Sequence, residues 1–275
     1  IRFPEKNKNL NFIQGDLREY KVLKDIFSNQ YDIGKPITGV IHFAGLKAIN
    51  ESIHQPLKYW DFNLISTINL LKVMDLYGCR IIVFSSSASV YGSSNKDLIF
   101  EDQKLDPINP YGLTKLSIEN LLRNLYESNS GKWKIINLRY FNPIGAHPSG
   151  LIGEVPSGLP NNIFPLIMQV ASRNIEVLKI YGNDWPTYDG TGVRDYIHVM
   201  DVANGHLLAL EHLIENTSKI LTLNLGTSIG TSVLDLIRTF ERVNNIKVPF
   251  VFEKRRDGDS AIVVADNLLV KTTLK

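Results

Sequence analysis

The sequence contains little cysteine, little net charge and no long apolar run. Cys79 is the one cysteine, so an intrachain disulfide and a cysteine-based zinc site are excluded, and a reducing, cytoplasmic location is expected. Thirty Lys and Arg residues nearly balance 28 Asp and Glu residues, which argues against a broad basic face for nucleic acid. No apolar run approaches the roughly 20 residues of a membrane span, so no membrane partner is expected.

Common catalytic patterns are also missing. The six histidines show neither H-x-x-x-H nor H-E-x-x-H spacing, so no metal site is expected. The absence of a G-x-S-x-G turn disfavours a serine hydrolase. The segment Gly150-Leu-Ile-Gly153-Glu-Val-Pro156 comes nearest to a glycine-rich phosphate-binding turn, but proline replaces the last glycine and no strand precedes it. We interpret it as an ordinary loop.

Short apolar runs alternate with helical patterns along the first half of the chain. Apolar residues recur at spacings of three and four between 56 and 77, and Pro110 opens a second helical pattern. The predicted strands are 9–13, 40–45, 80–84 and 133–140, and the predicted helices are 22–27, 56–77 and 110–126. This alternation predicts a parallel sheet with helices on both faces.

The composition changes beyond Asn142, where prolines and glycines become frequent. The change predicts a loop-rich second region that begins there. Helices are predicted at 164–172, 201–213 and 232–243, and a strand is predicted at 221–225. Pattern alone leaves the topology of this region open.

Polar residues and glycines follow each predicted strand of the first half. Because the carboxyl ends of parallel strands meet at one edge of a sheet, these residues are expected to converge on a polar site. They are Gly15-Asp16, then Phe43-Ala44-Gly45-Leu46-Lys47, then Ser85-Ser86-Ser87, then Phe141-Asn142. Taken singly, each of these segments is better explained as the cap of a loop than as part of a functional site.

The segment Tyr111-Gly-Leu-Thr-Lys115 shifts that balance towards catalysis. Residues four apart share one face of a helix, so the ammonium can approach the phenol oxygen or a shared ligand. A free tyrosine has a pKa near 10, and a nearby cation lowers it. A tuned Tyr111 could then exchange a proton with a sugar hydroxyl or a carbonyl, and Ser87 could share that hydrogen bond. The spacing alone is weak, but its place after a serine-ended strand strengthens it.

Charged residues beside glycines mark the second half. Arginine suits phosphate because its guanidinium donates in a planar fork, and Arg194 is the favoured candidate. For Lys254 and Arg255, solvated surface charge explains the sequence equally well. His42 lies in an apolar strand and is expected to be a satisfied core residue.

Several longer segments resemble the UDP-glucose 4-epimerases of the extended short-chain dehydrogenase/reductase family. The resemblance runs from Asp16 to about Asp266. The segments that carry it are His42-Phe-Ala-Gly-Leu-Lys-Ala48, Ser85-Ser-Ser-Ala-Ser-Val-Tyr-Gly92, Tyr111-x-x-x-Lys115, Leu138-Arg-Tyr-Phe-Asn-Pro-Ile-Gly-Ala-His-Pro-Ser-Gly150, Pro160-Asn-Asn162, Gly190-Thr-Gly-Val-Arg-Asp-Tyr-Ile-His-Val-Met-Asp201 and Arg255-Arg-x-Gly-Asp259.

The resemblance implies a Rossmann-type doubly wound α/β fold with a smaller α/β substrate domain. Residues 1–142 would form the NAD-binding domain, and 143–275 would mainly bind the UDP-sugar, with about 201–226 returning to the first domain. The family's first strand and glycine-rich turn would precede Asp16, where nothing matches them, and a shorter piece would follow Lys275. The chain is therefore expected to be a fragment of the active enzyme.

The resemblance also implies a mechanism for C4 epimerisation of UDP-galactose and UDP-glucose. Bound NAD takes a hydride from C4, while Tyr111 takes the O4 proton and Ser87 bridges Tyr111 to the sugar. Lys115 holds the nicotinamide ribose and lowers the pKa of Tyr111. The 4-keto sugar then turns about its link to UDP, and the hydride returns to its opposite face.

The ligand-binding residues are likewise implied by the resemblance, together with a homodimer. The cofactor would be held by Asp16, Leu17, Phe43, Ala44, Gly45, Leu46, Lys47, Asn63, Ser85, Tyr111, Lys115 and Phe141. The UDP-sugar would be held by Ser87, Tyr111, Asn142, Asn162, Ile163, Lys179, Ile180, Tyr181, Arg194, Arg256, Asp259 and Val263. At the position of Val263 the family often carries tyrosine, and the smaller valine predicts acceptance of UDP-N-acetylhexosamines as well.

Two other functions stay open on the sequence. One is a related nucleotide-sugar enzyme, such as a 4,6-dehydratase or a UDP-glucuronate 4-epimerase. A dehydratase would want an acidic pair near Ser87, whereas its neighbours are Ser86 and Ala88. The other is a non-catalytic interaction protein built on an incomplete dinucleotide fold, which the retained Ser87, Tyr111 and Lys115 oppose.

Overall fold

The computed structural model describes residues 9–93, 98–128, 132–156, 158, 160–217, 219–256 and 258–274. Its helices are α1 (Tyr20–Asp32), α2 (Ile49–His54), α3 (Pro56–Tyr59), α4 (Ser66–Leu76), α5 (Pro110–Ser128), α6 (Ile163–Ala171), α7 (Val199–Glu215), α8 (Val233–Asn244) and α9 (Leu268–Thr273). Its strands are β1 (Val40–His42), β2 (Ile81–Ser87), β3 (Lys134–Tyr140), β4 (Asn142–Ile144), β5 (Leu178–Tyr181), β6 (Val193–His198), β7 (Ile220–Leu225), β8 (Gly230–Ser232), β9 (Phe250–Glu253) and β10 (Ile262–Val263).

The predicted parallel sheet is confirmed. Its described strands follow the order β1-β2-β3-β7, and all three pairings are parallel. Along β2 the side chains alternate between two hydrophobic clusters: Ile82 and Phe84 belong to one, and Val83 belongs to the other. The first cluster includes Leu71 of α4 and the second includes Leu213 of α7. Both faces of the sheet are therefore covered by helices, as near-continuous apolar strands require.

Shorter strands organise the second region. In one sheet β6 lies between β4 and β10 and also pairs with β8, while β5 pairs with β9 separately. A third hydrophobic cluster joins α6, β5 and α8 through Ile167, Ile180 and Ile237. Most of these strands contain two to four residues, which is too short for the period-two alternation that identifies a strand in a sequence.

The predicted strand at 9–13 is wrong. No strand ladder includes these residues in the described structure, and Leu10, Phe12 and Ile13 are each about half exposed. Their apolar character alone suggested a strand, but strand pairing also needs a neighbour in register. The strand predicted at 40–45 ends at His42, and the residues after it form a loop.

The long helix predicted at 56–77 is interrupted by a π-helical turn. Trp60–Ile65 adopts this wider turn between α3 and α4. Serine and threonine side chains cover carbonyl groups there: Ser66 Oγ donates to the Phe62 carbonyl and Thr67 Oγ1 to the Asn63 carbonyl. Single π turns inside helices occur frequently at functional sites. Among the described helices, none combines the length and the apolarity needed to cross a bilayer.

Candidate active site

Ser87 and Tyr111 meet where β2 ends and α5 begins. Their side chains are joined by a hydrogen bond, and Ser87 Oγ also accepts from the Ser89 amide at 3.2 Å. The neighbouring Gly112 makes this approach possible, since a Cβ at that position would lie 2.7 Å from the Ser89 carbonyl oxygen. The structure thus brings together the predicted base and the predicted bridging hydroxyl.

The acidity of Tyr111 reflects two opposing influences. Burial raises the pKa of the phenol above its ordinary value, and the hydrogen bond with Ser87 lowers it. Only 9% of Tyr111 is exposed, so burial is the larger influence. A phenolate at neutral pH therefore requires a cation within reach.

Lys115 is a cation on the same helix and lies near the Tyr111 ring. Its Nζ lies 5.9 Å from the centre of the Tyr111 ring and donates to the Ser85 carbonyl oxygen at 2.7 Å. Burial lowers the pKa of Lys115 to about 8, and the charge of Glu119 opposes this fall. The ammonium carries three donors, so donors remain for a bound ligand beside the bond to Ser85.

Asn63 holds the loop after β1 against α5. Its Oδ1 accepts from the Leu46 amide at 2.7 Å, while its Nδ2 donates to the Leu46 carbonyl at 3.1 Å and to Thr114 Oγ1 at 3.0 Å. Gly45 lies close to the side chains of Asn63 and Lys115. A Cβ there would be 3.1 Å from Asn63 Oδ1 and 3.8 Å from Lys115 Nζ. The loop and the lysine therefore form one continuous wall.

Phe43 and Ser85 lie on the α7 side of this wall. The Phe43 ring is 55% exposed and its centre lies 4.4 Å from that of His206, a buried residue of α7. Tyr140 hydrogen-bonds to His206 Nε2 and to Ser85. Ala44 is exposed in the same loop. An aromatic and hydroxyl-lined surface thus continues from Lys115 towards α7.

The other predicted cofactor residues have contacts of their own. Asp16 accepts from the Arg18 amide and guanidinium, which holds the pKa of the carboxyl below its usual value. Leu17 packs against the hydrophobic cluster that contains Leu71. Phe141 is buried in the fourth hydrophobic cluster, which contains Val90 and Ala265.

Glu154 connects two residues of different predicted roles. Its Oε1 lies 3.4 Å from Lys47 Nζ, and it accepts from Asn162 Nδ2 at 3.1 Å. Lys47 was assigned to the cofactor and Asn162 to the substrate, so the loop that carries Glu154 lies between them. Sequence reasoning interpreted this segment as an ordinary loop and did not find the contact.

A second cluster of predicted substrate residues forms around Arg194 on β6. Arg194 Nη2 lies 4.0 Å from Asp259 Oδ1, and Arg256 lies over the Tyr181 ring at 3.8 Å. Burial lowers the pKa of Arg194, the charge of Asp259 opposes this fall, and the charge of Arg256 adds to it. Parallel pairing of β10 with β6 places Val263 opposite Arg194. The structure brings these five residues together.

The remaining predicted substrate residues lie in different environments: on a strand, in a hydrophobic cluster or in an exposed ion pair. Asn142 lies on β4 opposite Tyr196 of β6. The β5 strand turns Ile180 into the third hydrophobic cluster, while Lys179 forms an exposed ion pair with Glu253 at 3.0 Å. Ile163 also packs against that cluster. For Ile180 and Ile163 the observed side-chain contacts are those of core residues.

Sequence reasoning missed a buried charged network behind β2, the strand that ends in three serines. Glu119 and Arg139 form a salt bridge at 2.6 Å, and their side chains are 1% and 3% exposed. Ser86 donates to Glu119, and Arg139 donates to Tyr91, which donates to Asn224. The spacing of Glu119 four residues after Lys115 was the available signal.

Three further predictions concern His42, Arg255 and metal binding. His42 is a core residue as expected: it is 2% exposed and its Nε2 bonds Thr67 Oγ1 at 2.9 Å. Arg255 is paired with Asp184 at 2.7 Å and lies over the Trp185 ring at 4.1 Å. Among the described residues, no group of three or more His, Cys, Asp or Glu side chains is placed to hold a metal ion.

One family of known proteins matches most of the chain. The model of the NAD dependent epimerase/dehydratase family matches residues 2–226. UDP-glucose 4-epimerase 1 of Oryza sativa subsp. japonica is 51% identical over 269 residues, which make up 97% of this chain and 74% of that protein.

Solved structures give the same result for the fold. The UDP-glucose-4-epimerase of Stenotrophomonas maltophila, with bound NAD and formylated UDP-arabinopyranose, superposes with a TM-score of 0.91 at 44% identity over 96% of this chain and 76% of that one. The UDP-glucose 4-epimerase of Bifidobacterium longum, in complex with NAD+ and UDP, superposes with a TM-score of 0.88 at 42% identity over 95% of this chain and 76% of that one.

Proposed function

The chain belongs to the NAD dependent epimerase/dehydratase family, and on that premise we propose that it is a UDP-glucose 4-epimerase. It inverts C4 of UDP-hexoses, interconverting UDP-galactose and UDP-glucose with NAD as cofactor. The observation that carries this proposal is the meeting of Tyr111, Ser87 and Lys115 in a chain 51% identical to such an enzyme.

The residues around Gly45 fit the nicotinamide end of NAD. Gly45 is closely backed by Asn63 and Lys115, so the exposed side of the loop presents backbone rather than a side chain. Lys115 has donors beyond its bond to Ser85, and a vicinal pair of ribose hydroxyls offers matching acceptors. The exposed Phe43 ring supplies apolar surface. NAD held by these residues would supply the acceptor and donor of the C4 hydride.

Tyr111 exchanges the proton of the sugar O4. Its phenol is held out of water, and Ser87 gives it a fixed hydrogen-bonding partner. The positive charge of Lys115 favours the phenolate, which can accept the O4 proton as C4 becomes a ketone. The resulting phenol returns that proton after the 4-keto sugar has turned. Ser87 bridges the phenol oxygen to the sugar throughout.

The Arg194 cluster binds the uridine diphosphate. Arg194 and Arg256 supply two guanidinium groups for the diphosphate, and Asp259 and Tyr181 orient them. Other contacts to the UDP-sugar come from Asn142, Asn162, Ile163, Lys179, Ile180 and Val263. Binding energy from the nucleotide holds the substrate while its keto sugar reorients, since remote contacts need not change during that motion.

The smaller valine at position 263 extends the substrate range to UDP-N-acetylhexosamines. Val263 pairs with Arg194 across neighbouring strands, so it lies beside the proposed diphosphate site. A valine lacks the phenol ring that a tyrosine would place at that position. The acetamido group of an N-acetyl sugar is the group proposed to lie there instead.

The two regions of the fold bind different ligands. Residues 1–142 with about 201–226 hold the cofactor, and the rest of 143–275 mainly holds the UDP-sugar; the pairing of β7 with β3 supports this assignment of the returning segment.

A homodimer is supported by exposed apolar side chains on contacting helices, namely Ile53 of α2 and Leu113 of α5. The single buried Cys79 supports a cytoplasmic location.

An assay of the full-length enzyme tests this function. UDP-galactose is supplied as the sole sugar nucleotide, and formation of UDP-glucose is followed by chromatography while retained NAD is measured on the same protein. Conversion without net consumption of NAD supports the proposal. A protein that retains NAD but leaves UDP-galactose unchanged would contradict it.

A further inference from the structure

A single buried carboxylate joins the serine end of β2 to the helix of the catalytic lysine. Glu119 Oε1 accepts from Ser86 Oγ and from Arg139 Nε, the latter at 3.0 Å. Its Oε2 accepts from Arg139 Nη2 at 2.6 Å. Ser86 directly precedes Ser87, so this carboxylate fixes the backbone next to the bridging hydroxyl.

Helical spacing places Glu119 on the catalytic face of α5. It follows Lys115 by four residues and Tyr111 by eight, so the three side chains lie in one row along the helix. All three are buried. A carboxylate in such a row attracts the ammonium through a medium that screens charge poorly.

The charged and titratable groups around Lys115 come from three elements. On β1, burial and the charge of Lys115 hold the pKa of His42 at about 3, so it is neutral. On β3, burial raises the pKa of Tyr140, and Arg139 is turned towards Glu119. On α5, Tyr111 is neutral in the absence of ligands, whereas the charge of Glu119 acts to raise the pKa of Lys115.

We propose that Glu119 is a positioning residue that keeps Lys115 charged and holds the serine end of β2 in place for catalysis. The inference rests on the function proposed above, because it assigns Lys115 a charge that the reaction uses. Buried ion pairs contribute little net stability in many proteins, so stability alone is a weak reason for this one. Its hydrogen bond to Ser86 on β2 and its place on the same helix face as Lys115 give it a catalytic reason.

Three variants separate charge from hydrogen bonding. Glu119→Gln removes the charge and keeps the shape, and Glu119→Gln/Arg139→Met also removes the cation that would otherwise be buried without a partner. Ser86→Ala removes the hydrogen bond from the strand and keeps both charges. Glu127→Gln is the matched control, because it makes the same chemical change at an exposed position of α5.

Two measurements on the full-length enzyme with bound NAD decide the proposal. The first is an NMR titration of the Lys115 ammonium, assigned by its loss in Lys115→Met. The second is the pH profile of kcat for UDP-galactose. Lysine is charged below its pKa, so loss of Glu119 should move the titration and the alkaline limb of kcat to lower pH, by on the order of one pH unit.

The expected pattern is a shift in Glu119→Gln, a smaller shift in the double variant because the charge of Arg139 is lost with that of Glu119, and none in Glu127→Gln. Ser86→Ala should lower kcat several-fold with the alkaline limb unmoved. An unchanged Lys115 titration in folded Glu119→Gln overturns the electrostatic part, and unchanged kcat in Ser86→Ala overturns the positional part. If the wild-type protein leaves UDP-galactose unconverted, the proposed function fails, while the NMR titration still decides whether Glu119 controls Lys115.

Discussion

Asn63 and Leu46 are joined by a pair of hydrogen bonds that run in opposite directions between one side chain and one backbone unit. The Leu46 amide donates to Asn63 Oδ1 at 2.7 Å, and Asn63 Nδ2 donates to the Leu46 carbonyl at 3.1 Å. The π-helical turn that contains Asn63 supplies this side chain from the neighbouring helix. The loop proposed to face the nicotinamide is therefore held by a side chain rather than by a strand ladder.

Replacement of Asn63 by leucine should loosen that loop. The amide and carbonyl of Leu46 would lose their partners, and a buried group left without one costs about 1–3 kcal/mol. We expect the free energy of unfolding to fall by roughly 2–4 kcal/mol and NAD to bind more weakly. Urea unfolding at a fixed NAD concentration and calorimetric titration of NAD measure the two effects.

An exposed asparagine of α5 provides the control for this prediction. Asn120→Leu changes the same residue type at the helix surface, so both quantities should stay near their wild-type values. If Asn63→Leu bound NAD as tightly as the wild type, the loop would not depend on this pair of hydrogen bonds.

Tyr111→Phe should abolish most of the epimerase activity without disturbing the fold. The change removes the phenol oxygen that is proposed to exchange the O4 proton, and proton transfer by a positioned group contributes about 10²- to 10⁴-fold in rate. We therefore expect kcat to fall by that factor, with KM for UDP-galactose nearly unchanged. Tyr126→Phe, on the same helix and partly exposed, is the matched control. Turnover close to that of the wild type would remove Tyr111 from the mechanism.

Arg194→Lys should weaken binding of the uridine diphosphate even though the charge is kept. A guanidinium donates to two phosphate oxygens in a fixed plane, whereas an ammonium is a point charge on a flexible stem. Hydrogen bonds to charged groups contribute about 1.5–3 kcal/mol, so the Kd for UDP should rise by about tenfold to hundredfold. Arg242→Lys, at the exposed end of α8, is the control. An unchanged Kd in Arg194→Lys would place the diphosphate elsewhere.

The stability of the protein should decrease as the pH falls below about 6.5. Burial lowers the pKa of His42 from 6.5 to about 3, so the unfolded chain takes up a proton there before the folded protein does. Each pH unit within this window removes up to about 1.4 kcal/mol through His42. In His42→Asn, which can still bond Thr67, the free energy of unfolding should vary less steeply with pH between 6.5 and 4. His54→Asn, at an exposed position, should retain the wild-type slope.

The sequence predicted the central sheet well because its strands are long, apolar and separated by helical patterns. β3 and α5 lie close to their expected bounds, β7 agrees within one residue, and β2 extends three residues beyond its expected end to include the serines. The short strands of the second region were missed, since each depends on pairing with distant residues such as those of β6. The strand at 9–13 failed for the same reason: its local composition was suitable, but pairing is not a local property.

The candidate site also contains residues that the sequence predicted and residues that it did not. Local spacing identified Tyr111 and Lys115, and the position of Ser87 followed from the end of an apolar strand. Glu119 and Arg139 meet across 20 residues of sequence and come from a helix and a strand. A single sequence has no signal for such a pairing, although the four-residue step from Lys115 marked the correct helix face.

Val263→Tyr should narrow the substrate range of the full-length enzyme. Because β10 pairs with β6, a phenol ring at position 263 would stand beside Arg194. We expect kcat/KM for UDP-N-acetylglucosamine to fall by at least tenfold, since the acetamido group needs the volume that the ring would take, while kcat/KM for UDP-glucose changes little. Val263→Leu adds apolar volume without the ring and should give an intermediate result. Both rates are measured with the same preparation, so a fall in both would indicate general damage to the site. Equal rejection of the N-acetyl sugar by the wild type and by Val263→Tyr would show that this position does not determine the choice.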